Sequence, residues 1–68
     1  MVGTREVKTG ILIVRIWADD AAPSGFRARI IETLDIAVPE EFLRAASTSD
    51  EICGAVRDWL TRFVAAKP

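Results

Sequence analysis

The spacing of apolar residues changes along this 68-residue chain, and the changes divide it into elements. From Thr48 to Ala66 the period is helical. At about 100° per residue, Ile52, Cys53, Ala55, Val56, Trp59, Leu60, Phe63, Val64 and Ala66 fall within one arc of roughly 180°. Asp50, Glu51, Gly54, Arg57, Asp58, Thr61, Arg62 and Ala65 take the other side. An arc this wide exceeds the stripe that a surface helix ordinarily buries. The pattern therefore predicts a helix lying on a broad apolar surface, and a sheet is the surface the first half of the chain can supply. Thr48 and Glu51 have the spacing of a capping box, in which the hydroxyl accepts from a first-turn amide and the carboxylate reaches back to the cap. Asp58 and Arg62 stand four apart, the spacing of a surface ion pair. Gly54 lies on the polar side, where core packing does not call for it, and reads as drift rather than a site of close approach.

Between Gly10 and Asp19 the residues are Ile-Leu-Ile-Val-Arg-Ile-Trp-Ala. This density of β-branched and aromatic residues between turn formers predicts a strand. Leu12, Val14 and Ile16 point to one face, and Ile11, Ile13, Arg15 and Trp17 to the other. A strand apolar on both faces is expected to be buried on both. Asp19 to Gly25 is a loop by composition. Phe26 to Ile36 begins with clean alternation, Phe26, Ala28 and Ile30 against Arg27, Arg29 and Ile31, and predicts a half-buried strand antiparallel to the first. The alternation slips near Ile30-Ile31, which suggests a bulge. The favoured pairing puts Phe26, Ala28 and Ile30 on the Leu12/Val14/Ile16 face, because a one-residue slip would carry Arg15 into the core.

Ala37 to Ser47 carries two messages. Locally, Pro39, the Glu40-Glu41 pair and the Glu40/Arg44 spacing suit a short helix. Globally, a two-stranded ribbon is too narrow to cover the helix, and isolated hairpins are weakly stable. A third strand over Glu41–Ala46 is preferred. The expected fold is one small α+β domain over residues 1–68: a three-stranded antiparallel β-meander with one C-terminal amphipathic helix packed on one face. Residues 1–9 are polar and aperiodic and are expected to form a loose arm.

Composition narrows the function classes. A chain of this length buries only ~60% of its unfolded surface, and small domains commonly add disulfides, a metal or a second chain. Cys53 is the single cysteine and histidine is absent, so an internal disulfide and a structural zinc site are excluded. Half of the residues are hydrophobic, which points to oligomerisation. The net charge of −1 gives no global attraction to nucleic acid or anionic membrane. The apolar run after Lys8 is broken by Arg15 and ended by Asp19-Asp20, too short for a signal peptide or membrane span, so a cytoplasmic location is expected.

No catalytic motif stands out. Cys53 has no histidine to activate it and reads as a buried small hydrophobe. Asp19-Asp20 and Glu40-Glu41 lack the converging oxygens that a metal site needs, so no cofactor, metal or enzymatic role is expected. The informative feature is the sheet face that a single helix cannot cover: Ile11, Ile13, Arg15, Trp17, Arg27, Arg29 and Ile31. Trp and Arg are enriched at interface hot spots. These residues predict a non-catalytic interaction module that associates with its own copy, a dimer being favoured, or docks on a larger protein through this face or an edge strand. The alternative is single-stranded nucleic-acid binding, with Trp17 as a stacking platform and the arginines on phosphates. Against both stands the possibility that Trp17 folds over its own sheet edge while the arginines snorkel over isoleucine.

Overall fold

The computed structural model describes residues 7–65. The elements are β1 (Ile11–Ala18), β2 (Phe26–Thr33), β3 (Phe42–Ala46) and α1 (Ser49–Ala65). The strands form one sheet in the order β1-β2-β3, antiparallel at both junctions. This is the β-β-β-α arrangement that the pattern predicts.

The β1–β2 ladder runs unbroken from Ile11 opposite Thr33 to Ala18 opposite Phe26. Leu12, Val14 and Ile16 therefore share a face with Ala28 and Ile30, as the favoured pairing requires. The bulge expected at Ile30-Ile31 is absent. Ile31 lies opposite Ile13 on one face, and Glu32 turns to the other beside the core. The apparent slip arises from Glu32, a charged residue that points inward. β2 ends at Thr33 rather than Ile36 because Asp35 turns the chain: its Oδ1 accepts from the Ala37 amide at 2.9 Å, and its carbonyl from Val38 at 2.9 Å.

The second junction pairs Ala28 with Ala46 and Glu32 with Phe42, so residues 42–46 form the third strand rather than a helical turn. Arg44 does not pair with Glu40 but with Glu32 and Asp58. The hairpin between β1 and β2 closes with Gly25 at φ 87°, the left-handed conformation that favours glycine. Asp19 Oδ1 caps this turn from within by accepting the Ala21 amide at 2.9 Å.

α1 crosses the face that carries Ala28, Ile30 and Ala46 and presses Ala55 against them. Three alanines let helix and sheet approach closely, and Ile30 is the one large hydrophobic side chain fully enclosed among the described residues. The helix start is a variant of the expected capping box. Thr48 Oγ1 accepts from Glu51 N at 3.1 Å, but the Glu51 carboxylate accepts from Ser47 N at 2.7 Å, one residue before the cap. At the other end Trp59 and Phe63 stack with centroids 5.6 Å apart and lie against Gly10, where a Cβ would stand 2.7 Å from Trp59 Cζ2. Gly10 is thus the seat for the end of the helix as well as the boundary of β1. Gly54 faces open space, in keeping with its reading as drift.

Of the arm expected over residues 1–9, residues 1–6 lie outside the described residues. Lys8 and Thr9 are held: Lys8 Nζ donates to the Phe63 carbonyl at 3.0 Å and sits 4.5 Å from its ring centroid, and Thr9 O accepts from Ile36 N at 2.9 Å.

Candidate functional site

Strand alternation and the observed register bring all seven expected site residues onto one face. Ile11, Ile13, Arg15 and Trp17 come from β1, and Arg27, Arg29 and Ile31 from β2, with Leu43 and Ala45 of β3 continuing the surface. The helix lies on the opposite face. Among the described residues no element covers this side, and Ile11, Ile13 and Leu43 are each close to half exposed or more.

Its charges are unevenly partnered. Arg27 Nε donates to Asp19 Oδ2 at 2.6 Å. The Ala21 amide and this guanidinium together hold the Asp19 carboxyl below its usual range. Arg15 lies over the Trp17 ring, with the guanidinium carbon 5.5 Å from the centroid, so cation and aromatic face are already engaged with each other. Arg15 and Arg29 stand directly opposite in the ladder, a like-charge cross-strand pair that disfavours the isolated sheet. Trp17, Arg27, Arg29 and Ala45 contribute to an open groove of about 370 Å³ at the end of the sheet, which Ser47 and Glu51 close.

The sequence pattern predicts that β1 is buried on both faces, and the structure corrects this. On the helix side Val14 and Ile16 are exposed, Ile16 at 57%. The cause is the position of α1. Glu32, only 1% exposed, carries a charge into the face beneath the helix and is answered by Arg62 at one oxygen and by Arg44 Nε at 3.2 Å from the other. Arg44 also reaches Asp58 Oδ2 at 3.4 Å. A buried carboxylate must be paired. Meeting that need turns the polar rim of α1, Asp58 and Arg62, toward β2 and β3, in place of the Asp58–Arg62 surface pair that their spacing suggests. The opposite rim of the apolar arc is then left in solvent. Leu60 is 49% and Val64 58% exposed, and Cys53, expected from the sequence to be buried, is exposed as well because it lies on this same rim.

The uncovered apolar surface is therefore larger than the seven residues that strand alternation identifies. It wraps around β1, from the open face across an edge that no strand pairs among the described residues to Val14 and Ile16. Alternation finds the open-face half. The helix-side half depends on Glu32, which in the sequence reads as an ordinary outward-pointing charge.

No group of His, Cys, Asp or Glu that could hold a metal occurs among the described residues. No helix of the described residues is long and apolar enough to cross a membrane. Comparison of the chain with protein-family models, with curated proteins and with solved structures finds no match in any of the three.

Proposed function

We propose that the protein is a small, non-catalytic, cytoplasmic interaction module that works as a homodimer, with β1 at the centre of its interface. One observation carries this reading. The most hydrophobic strand of the chain is an edge strand with both faces exposed. Exposed apolar surface of this kind marks an interaction site, and an unpaired strand edge is a template for a further strand. Isologous two-fold pairing is the commonest way to close such a surface on itself.

Analytical ultracentrifugation tests the proposal. The expected result is twice the monomer mass at micromolar concentration. A folded monomer at several hundred micromolar would overturn self-association and leave a larger protein as the partner.

A second reading, single-stranded nucleic-acid binding, draws on the opposed Arg15 and Arg29. It ranks below the first because Arg27 is already paired with Asp19 and Trp17 already lies under Arg15. Its test is a gel shift with short oligonucleotides at low and moderate salt, since phosphate contacts weaken steeply as salt rises. Absence of a shift at low salt rejects it.

A further inference from the structure

The geometry points to a specific seam. We propose that two copies pair β1 antiparallel to β1 about a two-fold axis through Val14, forming one six-stranded sheet. This rests on the dimer reading above and adds to it the partner's orientation, register and contribution to the core.

Orientation follows from symmetry. A two-fold axis normal to the sheet reverses strand direction and preserves the faces, so both helices lie on the same side. Asp58 and Arg62 on one rim of α1 are occupied with β2 and β3, while the neighbouring Trp59 and Phe63 abut Gly10 at the start of β1. This end of the helix therefore lies at the Gly10 end of the seam. Since this end of α1 sits at Gly10, which an axis through Val14 sets opposite Ala18, each flank with Leu60 and Val64 would stand beside the other copy's Ile16–Ala18 end. An axis running along the strand would instead flip one copy and send its helix to the far face, leaving both flanks bare.

Register follows from parity and charge. Residues directly opposite in an antiparallel ladder point to the same face. With faces preserved, odd positions must oppose odd and even oppose even. A residue then sits opposite its own copy, and for a strand of Ile11–Ala18 the two central choices are Val14 and Arg15. Centring on Arg15 sets Arg29, Arg15, Arg15 and Arg29 in a row across four consecutive strands, since Arg29 already opposes Arg15 within each copy. Like charges directly opposite destabilise a sheet. Centring on Val14 avoids that row. It sets Val14 against Val14, Leu12 against Ile16 and, on the open face, Ile13 against Arg15 and Ile11 against Trp17. Each Ile16, the most exposed large hydrophobic side chain of β1, then lies beside the other copy's Leu12, which packs against the core. A stable pair needs about 800 Å² from each partner. Ile11, Ile13, Val14, Ile16 and Trp17 of β1 and the Leu60/Val64 flank are exposed between 36% and 58%, and the partner copy would draw on these side chains and on the strand edge.

Disulfide trapping tests the register. In a Cys53→Ser background, Val14→Cys and Arg15→Cys are made separately, their native masses are measured, and each is oxidised. Directly opposed residues stand about 4.5–5.5 Å apart at Cα, within disulfide reach, whereas diagonal neighbours lie beyond it. The expected result is a covalent dimer from Val14→Cys at least ten times more abundant than from Arg15→Cys. The reverse ratio, or equal trapping, overturns the Val14 register while leaving the dimer intact. A dimeric mass with neither variant trapped overturns the β1 seam. A monomeric parent protein overturns the underlying dimer reading instead.

Discussion

The two edges of this sheet are built differently. β3 has five residues, follows Pro39-Glu40-Glu41 and carries Arg44, which ties it to Glu32 and α1. Short length, proline and charge are the usual means by which a sheet edge is kept from pairing with other chains. β1 has eight residues, apolar side chains on both faces and Arg15 as its one charge. The helix deepens the difference, because Asp58 of its polar rim is tied to Arg44 on β3, and no ion pair joins it to β1 among the described residues. One edge is closed by the chain's own devices, and the other is left with everything a partner strand needs. Apolar exposure by itself does not separate the edges, since Phe42 and Leu43 of β3 are exposed at 48% and 64%; strand length and charge do.

The largest effect comes from removing the support common to both edges. Ile30→Ala deletes the one large hydrophobic side chain that is fully enclosed among the described residues. Burial losses of this type cost about 2–5 kcal/mol, a large part of what so small a domain possesses. The expected outcome is loss of the cooperative thermal transition followed by circular dichroism, with both edges lost together. A variant that retains its melting temperature would mean that the fold does not rest on this contact.

The direct comparison places a lysine on each edge in turn. Ile16→Lys on β1 is expected to weaken self-association about 100-fold, equivalent to roughly 2.7 kcal/mol, with the helical signal retained. Leu43→Lys, at a similarly exposed site on β3, is expected to leave the native mass unchanged. Equal responses from the two variants would erase the distinction between the edges.

Part of this was legible in the sequence. In a three-stranded meander the first strand is necessarily an edge, so a first strand apolar on both faces already implied a missing partner. The open-face residues Ile11, Ile13, Arg15, Trp17, Arg27, Arg29 and Ile31 followed from alternation once the register was chosen on the cost of burying Arg15. The third strand followed from the breadth of surface α1 needs, against the local preference of Pro39 and Glu40 for a helical turn. What the pattern could not convey was Glu32. A glutamate near the end of a strand looks solvated. Here it is enclosed, because Arg62 arrives from 30 positions away and Arg44 from the neighbouring strand. That long-range pairing sets the rotation of α1, and the rotation decides which half of the wide apolar arc is buried. Periodicity gives the width of the arc but not its direction.

A smaller effect sharpens the helix side of the comparison. A Cβ added at Gly54 would meet no atom within 4 Å. Gly54→Ala is expected to stabilise α1 by about 1 kcal/mol through helix propensity, seen as a higher melting temperature with no change in native mass. A change in mass would place Gly54 in an interface, contrary to a seam on the apolar rim.

The smallest effect concerns how the two edges end, where they are alike. β1 runs into Asp19, whose carboxylate accepts from Ala21 and pairs with Arg27, and β3 runs into Ser47, whose amide donates to Glu51. These contacts lower both carboxyl pKa values, Glu51 chiefly through the Ser47 amide. A carboxyl whose folded pKa lies below its unfolded value contributes stability above the unfolded value and loses it as pH falls through the folded one. The ordinary values are 3.8 for Asp19 and 4.5 for Glu51. Melting temperature should therefore be level at neutral pH and decline as pH drops below about 5 toward 3. Glu51→Gln keeps an acceptor oxygen for the Ser47 amide and removes the titration, so it should flatten part of that decline. Asp19→Asn should flatten another part and, having lost the ion pair with Arg27, raise the salt sensitivity of the open face. If acid dissociated the dimer before either turn melted, the β1 end would be the weaker of the two and the likeness between the ends would fail.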